Sequence, residues 1–121
     1  MPLLHAVVGS LLIIANLVVA VWGFWAYRKN RPPGRQFTHA LAAAHTLVLA
    51  QATLGLILLS GGYEPGDRLH FVHGLLPLLA VAYPYALRGE DGRKNVLYFS
   101  VGSALVTALA IRAFMTGPQH L

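Results

Sequence analysis

The chain contains no cysteine and only four acidic residues among 121. The first absence excludes disulfides, thiolate metal sites and cysteine nucleophiles. The second leaves the apolar segments without a single carboxylate. There is no two-carboxylate site, no nucleophile with an adjacent base and no phosphate-cradling glycine loop, so hydrolytic chemistry has no residues to run on. Charge of either sign is scarce. Asp, Glu, Lys and Arg make up 11% of the chain, against about 25% in an ordinary soluble domain. The net charge of +5 does not point to nucleic acid, because the basic residues cluster between apolar runs with no aromatics interleaved. The first apolar run lacks the basic leader and small-x-small cleavage site of a signal peptide and reads as a retained helix.

What is present is apolar sequence in four long runs. Crossing a bilayer core takes about 20 such residues. Helices are predicted over about 5–28, 36–60, 69–87 and 95–115, with the whole chain a single transmembrane domain. The connections carry turn formers: Arg31-Pro32-Pro33-Gly34, Gly61-Gly62-Tyr63-Glu64-Pro65-Gly66 and Arg88-Gly89-Glu90-Asp91-Gly92. Short loops make successive helices antiparallel, so the expected fold is all-α, an up-down-up-down four-helix membrane bundle. Arg28, Lys29, Arg31 and Arg35 lie in the first loop and Arg88, Arg93 and Lys94 in the third, whereas the middle loop has only Arg68 with Glu64 and Asp67. Basic short loops stay in the cytoplasm. Both termini are therefore expected outside a bacterial cytoplasmic (inner) membrane, with Trp22, Trp25, Tyr27 and Tyr98 in the inner aromatic belt.

Six histidines punctuate this apolar chain. At about 1.5 Å of rise per residue, His5 and His70 fall at the outer ends of the first and third helices. His73 lies one turn deeper, and His45 nearer mid-membrane. His39 falls at the inner interface and His120 in the tail. A 65-residue offset aligns His5 with His70, Val7 with Val72, Gly9 with Gly74, Leu11 with Leu76 and Ala15 with Ala80. The shared His-x3-Gly is its most informative part. Helices one and three run in the same direction on a diagonal of the bundle, so two imidazoles at matching height face each other across the core. That placement suits axial ligation of haem iron from opposite sides. Gly9 and Gly74 lie on the same faces as the histidines, leaving room for a macrocycle. Arg68 and Arg112 lie near the outer surface, where they can pair with propionates. Depth favours His73 as ligand and the repeat favours His70; both stay open.

Each of these residues has a plainer reading. His5 and His70 can be wet interfacial residues, and His73 can bond a backbone carbonyl. His45 is expected to be a hydrogen-bonded core residue partnered by Asn16, Thr46 or Gln51, its competing roles being a proton relay, a quinone contact or a second ligand. The Gly/Ala/Ser faces, including Ser100, Ser103, Ala104 and Thr107, are also what close helix packing needs.

The segment His45-x5-Gln51-x3-Gly55 (HTLVLAQATLG) and the outer histidines of LHFVHGLLPLL resemble one four-helix half of the haem A synthase family. The resemblance implies a bundle in which membrane histidines hold haem near the outer face. No acidic residue stands beside a histidine within a span, so haem binding is carried over and the synthase reaction is not. The expected function is that of a b-type haem protein in electron transfer or haem handling. His5 with His70 or His73 would ligate the iron, and the bilayer would be the partner surface. Two alternatives come from other classes. One is a cofactor-free accessory or assembly subunit of a larger membrane complex. The other is a homodimeric carrier with the outer histidines as a copper or zinc site.

Overall fold

The computed structural model describes residues 2–32, 34–62 and 69–116. It contains four helices: α1 (Pro2–Arg28), α2 (Gly34–Ser60), α3 (Leu69–Leu87) and α4 (Gly92–Thr116). All four are long and apolar enough to cross a membrane. Their outward faces carry bare Leu, Ile and Val, among them Leu3, Ile14, Val21, Leu49 and Leu79, as lipid-facing helices require.

The helix ends have local causes. α1 stops where Asn30 takes a left-handed φ of 54°, and the Arg31 amide then bonds the Ala26 carbonyl at 3.0 Å. This is the six-to-one closure of a helix C-terminus. α4 starts earlier than the apolar run indicates, because Asp91 caps it: its Oδ1 accepts from the Arg93 amide at 3.0 Å. α3 carries two internal prolines, Pro77 and Pro84, both buried. Pro84 has no amide hydrogen to give the Ala80 carbonyl. A Cβ on Gly102 of α4 would sit 2.8 Å from that same oxygen. The glycine thus lets α4 press against the carbonyl that the proline frees.

The helices are consecutively antiparallel. Trp22 packs edge-on against Phe37, Asn16 reaches the Ala44 carbonyl, and Arg93 reaches the Tyr27 carbonyl. The backbones of α1 and α3 stay apart, so the two helices lie on a diagonal. The ring is uneven. α4 packs closely on both α1 and α3, and α1 on α2, but α2 and α3 barely touch although they follow each other in sequence. Small residues explain the close sides. Gly23 lies against Ser100, and Ser100, Ser103 and Thr107 of α4 are buried. Two apolar clusters fill the interior. Val19, Phe37, Leu41, Ala44 and Phe99 occupy the end where Arg28 and Arg93 lie, the arginine end. Leu12, Val48, Ala80 and Val106 occupy the middle. His5 and His70 begin α1 and α3 at the opposite, histidine end.

Candidate functional site

At the histidine end the first turns of α1 and α3 bring His5 and His70 together. Their ring centres are 6.2 Å apart at an interplanar angle of 74°. Both are half-buried. Two helices whose backbones stay apart are here brought within side-chain reach of each other. His70 Nδ1 donates to the Ala113 carbonyl of α4 at 2.7 Å. A carbonyl can only accept, so the proton is on Nδ1 and Nε2 keeps its lone pair. A backbone carbonyl behind the ring orients metal-ligating histidines in the same way.

His5 is held differently. Gln51 of α2 brings its amide nitrogen to within 3.4 Å of His5 Nε2, at the long limit of a hydrogen bond. His5 Nδ1, Gln51 Oε1 and His73 Nδ1 are all buried with no hydrogen-bond partner. His5 and Gln51 face each other and His73 lies one turn along α3 from His70, so the histidine end is underfilled in polar partners, since buried polar groups are nearly always paired. Gln51 also sits where a side chain on Gly9 would go, 2.8 Å from its Cβ position. A Cβ on Gly55 would be 3.4 Å from the His5 ring. Gly74 is different, with nothing within 4 Å of its Cβ position.

The predicted residues thus separate. His5 and His70 converge; His73 is half-buried one turn along α3 without a ring contact to them. Gly9 is not open space, being filled by Gln51, whereas Gly74 is open. Arg112 is exposed on α4, next to Ala113. Arg68 lies outside the described residues, as do Glu64, Asp67 and His120. Gln51 was assigned to the neighbourhood of His45, and its contact with His5 was missed. Residues equidistant from the turn near Asn30 face each other across the α1–α2 hairpin: Trp22 with Phe37, Asn16 with Ala44, Gly9 with Gln51 and His5 with Gly55. That register was the available signal.

His45 is buried, as a core residue should be, but its partner is none of those expected. Its Nδ1 pairs with the Tyr85 hydroxyl of α3 at 2.7 Å. Asn16 instead bonds the Leu12 carbonyl at 2.9 Å, and Thr46 bonds the Ala42 carbonyl of its own helix.

Among the described residues no three His, Cys, Asp or Glu side chains converge as a metal-ion cage. The protein side of the site is a pair of imidazoles. Two open grooves, of about 470 and 270 Å³, lie at the arginine end. Neither is lined by a histidine, so they are remote from that pair. Comparison with protein-family models, curated proteins and solved structures gives no match to this chain.

Proposed function

We propose that this chain is a small integral-membrane b-type haem protein, with His5 and His70 as axial ligands and the histidine end facing the outside of a bacterial cytoplasmic membrane. The observation that carries the reading is the diagonal imidazole pair. Two imidazoles bound trans, with metal–nitrogen bonds of about 2.0–2.1 Å, have ring centres roughly 6 Å apart. The separation of 6.2 Å between His5 and His70 fits this. Rotation about a shared axis leaves the angle between such rings free, so 74° is compatible. The unpartnered His5 Nδ1 and Gln51 Oε1 fit a site whose remaining atoms come from a ligand.

The chain's own residues do three things in this reading. Ala113 holds the His70 tautomer with Nε2 ready to ligate. Gln51, at the long limit of a hydrogen bond to His5 Nε2, would have to release that nitrogen for His5 to hold a metal, and the space at Gly74 would leave room beside His70. The Leu12, Val48, Ala80 and Val106 cluster closes the floor and keeps the site at the membrane's edge. Haem supplies one-electron chemistry, and ligand type and burial tune its potential. Two protein ligands leave no open coordination position, which favours electron transfer or haem handling over oxygen activation. His73 becomes a neighbour of the site, and Arg112 a cation at its rim for a propionate.

The accessory-subunit reading needs small-residue faces on the outside, but Ser100, Ser103 and Thr107 are buried within the bundle.

The test is colour. Protein purified in detergent from haem-replete cells is expected to carry about one haem per chain, with a Soret band and sharpened α and β bands on dithionite reduction. A colourless preparation, or unchanged binding in both His5→Ala and His70→Ala, overturns the proposal. Orientation has its own test in this cysteine-free chain. Lys29→Cys and Lys94→Cys are expected to react with an impermeant maleimide only after the cells are opened.

A further inference from the structure

A second polar pair lies in the seam between α2 and α3, independent of the haem reading. His45 and Tyr85 join their side chains across the one side of the ring where neighbouring helices barely touch. Phe99 of α4 backs both, with ring centres 6.1 Å from His45 and 5.0 Å from Tyr85. The Arg88 guanidinium stands over the Tyr85 ring at 5.4 Å. His45 is buried, at 7% exposure, but Tyr85 is 44% exposed. Nε2 of His45 takes no hydrogen bond from the described residues. That nitrogen is not enclosed by the bundle, so it is available to a partner from the lipid side.

We infer that this seam binds the head ring of a lipid-soluble quinone. Three features select that ligand class. First, the Phe99 ring flanks both members of the pair, a surface suited to a flat ring. Second, it can present either hydrogen-bonding sense. With the proton of Tyr85 given to Nδ1, Nε2–H donates to a quinone carbonyl. With Nδ1–H given to the tyrosine oxygen, Nε2 accepts from a quinol hydroxyl. Third, Tyr85 is less than one turn, about 4.5 Å, from Arg88 at the end of α3. A ring entering sideways there keeps its isoprenoid tail in the bilayer. The sparse contact between α2 and α3 is lateral, on the side from which a ligand in lipid would arrive.

The experiment is photolabelling of the protein in nanodiscs with a short-chain azidoquinone, alongside saturable quenching of its fluorescence by the same quinone without the azide. Adducts are expected on the peptides containing His45 and Tyr85. Tyr85→Phe, which keeps the ring and removes the hydroxyl, is expected to weaken quenching affinity about tenfold, and His45→Gln likewise. Tyr83→Phe, on the other side of α3, is expected to leave it unchanged. The same binding should persist in His70→Ala, separating it from the fate of the haem proposal. Adducts elsewhere, wild-type affinity in both Tyr85→Phe and His45→Gln, absence of saturation, or displacement by equimolar anionic phospholipid overturns the inference.

Discussion

The two ends of the bundle solve the same problem in opposite ways. At the arginine end, polar groups are satisfied by the protein itself. Arg93 lies 4.0 Å over the Tyr27 ring and bonds the Tyr27 carbonyl. Asn95 both donates to and accepts from Gly89, at 2.8 and 2.9 Å. Asp91 caps α4. At the histidine end, His5 Nδ1, Gln51 Oε1 and His73 Nδ1 are buried without partners. The other two such atoms, Asn16 Oδ1 and Ser103 Oγ, lie in the middle of the bundle. The bonds at the arginine end lie at the surface, whereas those left unmade at the histidine end are buried, which makes the histidine end the candidate place of function.

This contrast can be broken by substitutions at matched positions. The largest stability effect is expected from Gly102→Ala, whose Cβ would fall 2.8 Å from the Ala80 carbonyl and 2.9 Å from Pro84. Neither can swing away, so α4 must shift, at a cost of about 1–3 kcal/mol. Detergent thermal unfolding would register it as a clear fall in Tm. Asn95→Ala removes both bonds to Gly89 and is expected to cost about 1–2 kcal/mol. Asp91→Ala is expected to cost about 1 kcal/mol through the lost cap. Gly74→Ala, at the histidine end, meets nothing within 4 Å and is expected to change stability by less than about 1 kcal/mol, while reducing haem occupancy if its open side receives the macrocycle. A Gly74→Ala loss as large as that of Gly102→Ala would show the histidine end to be packed as tightly as the middle of the bundle and remove the distinction.

Much of this was legible before any coordinates. Four apolar runs separated by Gly and Pro give four helices, because length and apolarity alone decide whether a segment can span. The 65-residue offset between α1 and α3 placed His5 and His70 at one height, and the short loops placed their helices on a diagonal. Other features were not legible, for reasons of geometry. α3 is rotated so that Pro77 and Pro84 are buried, with Pro84 against Gly102 of α4, and Tyr85 reaches His45; periodicity fixes faces relative to one another but not to a neighbour. The separation of α2 from α3 follows from α4 taking both close sides through Gly102, Ser100 and Ser103. Loop length requires adjacency but not contact. Gln51 behind His5 needed the hairpin register, and the earlier start of α4 needed the Asp91 cap.

The measurement that bears most directly on the central claim is the spin and coordination state of the oxidised purified protein, read by electron paramagnetic resonance across His5→Ala, His70→Ala and His73→Ala. The account predicts a low-spin, bis-imidazole signal in the unsubstituted protein and in His73→Ala. It predicts high-spin or absent iron in the other two. A silent unsubstituted protein, or a low-spin signal that survives His70→Ala and disappears with His73→Ala, would contradict it.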